Sequence, residues 1–261
     1  MQGNAHNPDT PADRPPLRLI RQGFPDRPDF GTAVSETILH RVAAGELPAT
    51  LRVHRPAREL AFSKQDRAAP GFAAAVNAAR EMGFRPVVRL AGGRAALFHE
   101  GSLAFAWSMP AERATRTTHD RFAMFAGVFE RALRGLGIDA RIGEIPGEYC
   151  PGAWSVNAGG RIKLVGIGQR IVSGAAHMGA VLVVTDSELV RRTLEPVYEA
   201  LELEWDPATA GAVEDEVPGI TLDRAEEAVI EEIGKLYALT DAELDEVTLE
   251  RAAATADRHA A

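Results

Sequence analysis

Two glycine pairs, Gly92-Gly93 and Gly159-Gly160, punctuate the middle of this chain and limit what it can build. FRPVVRL stands before the first pair, and RAALFHE and SLAFAWS follow it. AWSVNA and RIKLVG flank the second pair. These runs are too short for stable helices. A glycine pair between two of them is the signal of a tight turn, because glycine alone enters the left-handed region without strain. LRVHR, IDARIG and GAVLVV read as further strands, and AFSKQD ends in a loop before Pro70. Between them the period changes to that of a helix. Ile38, Leu39 and Val42 share one face. Phe72, Val76, Ala79 and Met82 share another, with Gly83 as the stop. A longer helix runs from about His119 to Leu136 with Phe122, Phe125, Phe129 and Leu133 inward, and SELVRRTLEPVYEALEL supplies one more. Strands interleaved with amphipathic helices predict an α/β (α+β) fold with a mixed sheet. The 261 residues suit one such domain with a small appendage.

The ends differ from the middle. Residues 1–16 are rich in Pro, Asp and Asn and predict a disordered lead-in. From Ala212 to Ala261 there are 14 acidic and 4 basic residues, a net charge of −10 against −8 for the whole chain, which leaves the body at +2. Thr221 and Thr240 read as N-caps, and Thr240 to Glu243 has capping-box spacing. Two short helices are expected, about 222–236 and 241–254. The organisation expected is therefore a main domain over 17–211 and an acidic helical cap over 212–261.

Several function classes fall away. Hydrophobic residues at 46% and charged residues at 25% are ordinary for a soluble protein, and no run approaches about 20 uninterrupted apolar residues. The first residues, MQGNAHNPDTPADRPP, lack the basic start and apolar core of a secretory signal, so a cytoplasmic location is expected. A near-neutral body argues against nucleic acid as a partner. One cysteine cannot form an internal disulfide, and the seven scattered histidines have no metal-ligand spacing, so no metal is expected. Neither Gly92-Gly93 nor Gly166-x-Gly168 fits a phosphate-binding loop pattern.

Two residues carry potential chemistry. Cys150, in GEYCPG, is either a small buried hydrophobe or a loop-borne nucleophile; the second role needs a nearby cation to favour the thiolate. Lys163 is the only lysine between Lys64 and Lys235. It reads either as a solvated charge on a strand or as a group that holds a carbonyl and lowers the thiol pKa.

Longer patterns give these residues a context. Arg89 to Leu103, RLAGGRAALFHEGSL, resembles the R-x-x-G-G-x-A-V-x-x-[HD]-x-G-x-L motif of the biotin/lipoate protein ligase and acyltransferase superfamily. Lys163 to Arg170, KLVGIGQR, is similar to the K-[IFV]-A-G-x-[AS]-Q-R block of the lipoate branch. Tyr149-Cys150-Pro151-Gly152 resembles the Y-C-P-G block of the cysteine-dependent lipoyl/octanoyl amidotransferases. The resemblance spans roughly residues 34–205 and implies a mixed sheet with packed helices. It implies catalytic roles for Cys150 and Lys163. It implies substrate-binding roles for Arg89, Gly92, Gly93, Ala95, His99, Gly166 and Gln169. The sequence departs from the family pattern at Arg94, Ala104 and Ser155, where a small residue, an asparagine and an acidic residue are common.

The activity implied is transfer of an octanoyl or lipoyl group through a Cys150 thioester to a lysine of a lipoyl domain. The implied partners are lipoyl domains of 2-oxoacid dehydrogenases, the glycine-cleavage H protein or an acyl carrier protein. This route needs no cofactor. The alternative is an ATP- and Mg-dependent lipoate–protein ligase in which Cys150 is incidental. A further alternative is a non-catalytic homologue that binds lipoyl domains or acyl groups.

Overall fold

The computed structural model describes residues 14–111 and 116–261. Its framework is an eight-stranded mixed sheet. In chain order the strands of that sheet are β1 (Pro16–Ile20), β2 (Thr50–His54), β6 (Ser102–Ala111), β7 (Ala140–Ile142), β8 (Val156–Ala158), β9 (Ile162–Val172), β10 (Gly174–Val183) and β11 (Ala238–Asp241). In space they run β11-β1-β2-β6-β10-β9-β8-β7. A second sheet has β3 (Glu59–Phe62) between β4 (Arg85–Val88) and β5 (Ala96–Phe98). β1 pairs in parallel with β2 and β11, and β3 in parallel with β4; the other pairs are antiparallel.

Alternation along the central strands divides the labour between the two faces of the large sheet. Leu51, Val53, Leu103, Phe105, Trp107, Met178 and Leu182 are buried in one cluster with helix α4 (Thr118–Gly135) and helix α6 (Leu222–Leu236). Phe125 and Phe129 from α4 meet Trp107 and Phe105 edge-on, at 5.6 and 5.0 Å between ring centroids. The opposite face carries Thr50, Arg52 and His54 on β2, opposite Ser108, Ala106 and Ala104 on β6. Helix α1 (Pro28–Ala43) packs over part of this face, and the small sheet stands beyond it, leaving a cavity of about 790 Å³. Helices α3 (Phe72–Glu81) and α5 (Ser187–Ala200) pack against each other and close the core of the small sheet.

The strands and long helices lie where the periodicity predicts them, and three local readings change. The expected lead-in reached residue 16; residues 1–13 lie outside the described residues, but Pro16 opens β1. Pro15 accepts a hydrogen bond from Ala238 at 3.0 Å, and the Arg14 guanidinium donates to the Gly234 carbonyl. AFSKQD does not end in a loop. Phe62 ends β3, and Ser63 with Asp66 forms a capping box on the short helix α2 (Lys64–Arg67). Thr240 does not cap a helix, because it lies in β11 beside Arg18 of β1. The last helix, α7 (Glu246–Ala253), starts later and is capped by Asp245, whose carboxylate accepts from the Thr248 amide at 2.8 Å. Thr221 does cap α6. The acidic tail thus adds a strand to the main sheet's edge, and its carboxylates pair with body arginines, among them Arg21 with Glu226 and Arg41 with Asp245. Among the described residues no helix is long and apolar enough to cross a membrane.

Candidate active site

Cys150 sits in the loop between β7 and β8 with φ of +44°, in the left-handed region that side chains with a Cβ avoid at a cost of about 1–2 kcal/mol. Its backbone is gripped on both sides. The Cys150 amide donates to the Tyr198 hydroxyl at 2.8 Å, and that hydroxyl donates to the Ala95 carbonyl at 2.9 Å. The Cys150 carbonyl accepts from Lys163 Nζ at 2.8 Å. A residue held in a strained conformation by so many contacts keeps its side chain aimed in one direction.

Lys163 anchors the loop from β9. Its ammonium, with the side chain 1% exposed, also donates to the Tyr149 carbonyl and to Glu148 Oε1, both at 3.0 Å, and lies 4.9 Å from the centre of the Tyr149 ring. The Glu148 carboxylate, fully buried, takes two further bonds on the same oxygen, from Ser155 Oγ at 2.6 Å and the Gly152 amide at 3.1 Å. Its second oxygen accepts from the Ile145 amide at 3.3 Å. A buried charge pair is sustained only with such full hydrogen bonding.

The thiol itself faces cations and an amide. Arg94 N donates to Cys150 Sγ at 3.1 Å, and Arg89 Nη2 lies at 3.5 Å. Burial pushes the thiol pKa up. The charges of Arg89 and Lys163, with the Arg94 amide, outweigh burial and leave it below the ordinary thiol value. Gly93 makes this approach possible: at φ of +100°, a Cβ there would lie 2.7 Å from Arg89 Nη2 and 2.8 Å from Cys150 Sγ. The Arg94 side chain does not enter the cavity as a free charge. Its guanidinium turns to buried Asp66 at 3.4 Å, so this residue presents its backbone to the thiol.

Of the residues singled out in the sequence, Cys150, Lys163, Arg89, Gly92, Gly93, Gly166 and Gln169 all line one cavity. Gln169 Oε1 accepts from Arg121 Nη2 at 3.2 Å. Ala95 and His99 do not line it. The cause is strand alternation: Ala96 and Phe98 of β5 face the cavity, so their neighbours point away. Ala95 is buried beneath the small sheet and contributes only its carbonyl, to Tyr198. His99 is buried in the β5–β6 turn, where Nδ1 accepts from the Gly101 amide at 3.1 Å. Two residues of the Cys150 cluster were not singled out. Glu148 lies inside the GEYCPG loop, where an acidic residue next to the thiol was the available signal. Tyr198 comes from α5, 48 residues away, and had none. Among the described residues no group of three or more His, Cys, Asp and Glu side chains is placed to hold a metal ion.

Residues 27–234 match the family described as the lipoyl protein ligase A/B catalytic domain. The chain belongs to that family. It is 29% identical over 168 residues to an octanoyl-[GcvH]:protein N-octanoyltransferase of Geobacillus kaustophilus, covering 62% of this chain and 59% of that protein. It is also 29% identical over 189 residues to the Bacillus velezensis protein of the same name, covering 69% and 65% respectively. The match thus spans less than two thirds of the length of these curated relatives. A lipoyl-[GcvH]:protein N-lipoyltransferase of Listeria monocytogenes is 28% identical, with 61% of this chain and 59% of that protein covered. In fold the chain resembles a lipoate-protein ligase A solved with ATP, with a TM-score of 0.73 at 19% identity, over 93% of this chain and 95% of that one. It also resembles the bipartite lipoate protein ligase solved in a study of the archaeal lipoylation system of Thermoplasma acidophilum, with a TM-score of 0.69 at 19% identity and 94% and 93% covered. The mixed sheet with packed helices expected from the motifs is therefore the fold of this family.

Proposed function

We propose that this chain is an acyltransferase that moves an octanoyl or lipoyl group onto a lysine of a carrier protein through a thioester on Cys150. The observation that carries the reading is the Cys150 thiol, held in a cavity between the Arg94 amide and the Arg89 guanidinium and backed by buried Lys163. The relatives are named for octanoyl- and lipoyl-[GcvH] donors, and the neighbouring lipoylation system includes a lipoyl domain, which supports the glycine-cleavage H protein as donor and a lipoyl domain as acceptor.

The chemistry needs two balanced steps. In the first, the thiolate attacks the carbonyl of the donor's acyl-lysine amide. The new C–S bond forms, the C–N bond breaks, and the departing lysine amine takes up a proton equivalent to the one the thiol shed. In the second, the ε-amine of the acceptor lysine attacks the thioester. The C–N bond forms, Cys150 leaves as thiolate, and the amine's proton passes to solvent. Arg89, Lys163 and the Arg94 amide favour the thiolate at the start and the end of this cycle. Lys163 acts here through its charge and by holding the loop, since its three donors are committed to Glu148, Tyr149 and Cys150. Contact between Lys163 and the acyl carbonyl requires exchanging one of these bonds.

The ATP-dependent ligase reading rests on the fold likeness to a ligase solved with ATP. Intact-protein mass spectrometry separates the two. Incubation with octanoylated H protein, without ATP, is expected to add the mass of one octanoyl group to the wild type and nothing to Cys150→Ser. No gain in the wild type, together with ATP-dependent labelling of a lipoyl domain that survives Cys150→Ser, overturns the transferase in favour of the ligase. Silence under both conditions leaves a binding protein.

A further inference from the structure

The proposed first step moves negative charge from sulfur to oxygen. Cys150 Sγ bonds to the acyl carbon, the π pair of the carbonyl passes to its oxygen, and the oxyanion so formed needs hydrogen-bond donors aimed at it. In many nucleophile loops a donor comes from the loop itself, often the amide that follows the nucleophile. Here the loop offers none. The residue after Cys150 is Pro151, which has no N–H. The Cys150 amide is spent on the Tyr198 hydroxyl at 2.8 Å, and the Gly152 amide on Glu148 Oε1 at 3.1 Å. Lys163 is spent as well, since its three N–H groups go to Glu148 Oε1 and to the Tyr149 and Cys150 carbonyls. The lysine that the sequence offers as a carbonyl holder is committed to the loop.

Two donors do reach the sulfur, and both come from the facing glycine loop. The Arg94 amide lies 3.1 Å from Sγ and Arg89 Nη2 3.5 Å from it. Arg89 Nη2 also donates to the Arg94 carbonyl at 2.6 Å, which braces the guanidinium against that loop. A guanidinium has five N–H donors in one plane, and Nη2 carries only two of them. Nε is enclosed and unpartnered, and Nη1 makes no hydrogen bond among the described residues. Arg89 is half-buried and lines the cavity, so a charged group with unused donors stands beside the reacting atom. The backbone next to it is bare. A Cβ on Gly92 would meet nothing within 4 Å, whereas one on Gly93 would fill the gap between Arg89 Nη2 and Sγ, at 2.7 and 2.8 Å. A planar acyl group can therefore approach the sulfur with its oxygen toward the guanidinium.

We propose that Arg89 is a catalytic residue, the oxyanion donor of this site: it receives the acyl oxygen when Cys150 attacks and again when the acceptor lysine attacks, with the Arg94 amide as second donor. This rests on the acyltransferase reading and assigns a role within it. In the first step the thiolate's electron pair forms the C–S bond, and in the second the amine's pair forms the C–N bond. Each time the carbonyl π pair goes to oxygen and returns to the C=O bond as the C–N or the C–S bond breaks. The guanidinium that steadies the thiolate thus steadies the oxyanion on the neighbouring carbon, so little has to move as the charge does.

Acylation and alkylation of Cys150 separate this role from thiolate stabilisation. Iodoacetamide consumes the thiolate without forming an oxyanion, whereas octanoylation by the N-acetylcysteamine thioester of octanoic acid forms one. Both rates are read by intact mass for wild type, Arg89→Met and Arg89→Gln, each at a pH where its alkylation rate has levelled off and the thiol is fully ionised. Arg89→Met is expected to alkylate within about threefold of wild type yet acylate about a hundredfold more slowly, the loss that removal of one oxyanion donor produces. Arg89→Gln, whose amide can still bond the Arg94 carbonyl and keep the loop in place, is expected to lose at least about tenfold in acylation. Acylation of either folded variant at close to the wild-type rate overturns the inference and leaves the transferase standing. Equal losses in acylation and alkylation overturn it too, because they mark a merely structural role. No octanoyl adduct on the wild type at any pH overturns the acyltransferase reading itself, and this inference with it.

Discussion

At the Cys150 end of the cavity, Lys163 and Glu148 are buried and each makes three or more hydrogen bonds, and both backbone polar groups of Cys150 are engaged. At the Arg52 end the guanidinium is equally buried, yet among the described residues its Nε and Nη1 and the neighbouring His54 Nδ1 have no hydrogen-bond partner, as is also true of Arg89 Nε beside the thiol. Both ends lie on the same face of one sheet. The difference lies in what each cation holds: Lys163 with Glu148 fixes the Cys150 loop, whereas Arg52 ties β2 to α1 through the Gly31 carbonyl and Ser35 Oγ. A satisfied network fixes geometry in advance of the substrate.

Breaking the thiol end has the largest expected effect. Cys150→Ser should abolish the acyl adduct, with transfer falling by at least about a thousandfold if the thioester is obligatory. Residual transfer within tenfold of wild type would remove Cys150 from the chemistry. Next, Glu148→Gln breaks a charge pair whose side chains are 1% and 0% exposed. Leaving the ammonium uncompensated should cost about 3–5 kcal/mol, read as a lower urea midpoint. A change below 1 kcal/mol would mean that the ammonium has found other partners.

Gly93→Ala forces a Cβ against Arg89 and Cys150 at φ of +100° and should cost about 1–3 kcal/mol. The same contact sets the pH dependence of the thiol. Because the folded thiol titrates below its usual value, alkylation by iodoacetamide should rise at lower pH than for a free cysteine. Arg89→Met removes the largest charge that opposes the effect of burial, so its profile should move to higher pH. An unmoved profile would assign the shift to Lys163 and the Arg94 amide alone. The smallest effect sharpens the contrast. Arg52→Met removes a buried, partly unpartnered charge, so unliganded stability should stay within about 1 kcal/mol of wild type or rise. A loss as large as that of Glu148→Gln would show that the two ends are alike.

Much of this was legible in one dimension because it depends on neighbours in the chain. The alternation in RAALFHE and SLAFAWS, the turn at Gly159-Gly160 and the stop at Gly83 are local effects of backbone sterics and side-chain period. They produced β5, β6, the β8–β9 hairpin and the end of α3 where they were expected. The capping pattern at Thr240 failed because a local signal met a stronger distant one. Residues 238–241 pair with β1, more than two hundred residues earlier, and ladder hydrogen bonds outweigh a cap. Similarly, Arg94 stands where the family pattern commonly has a small residue, yet its side chain pairs with Asp66 and only its amide faces the thiol.

The sequence by itself determined the long helices and the central strands, the family motifs, and Cys150 and Lys163 as the candidates for chemistry. Tertiary structure alone decided that Ala95 and His99 face away from the cavity while Arg89 and the Arg94 amide meet the sulfur. It also brought Tyr198 onto the Cys150 backbone and set Arg52 against the same cavity. The physical reason is that periodicity records which face of an element is apolar, whereas the partner of a buried polar group is chosen by packing between elements. Electrostatic interactions in a site from which water is largely withdrawn depend on those partners, and the distances that define them exist only once the sheet has closed over the cavity.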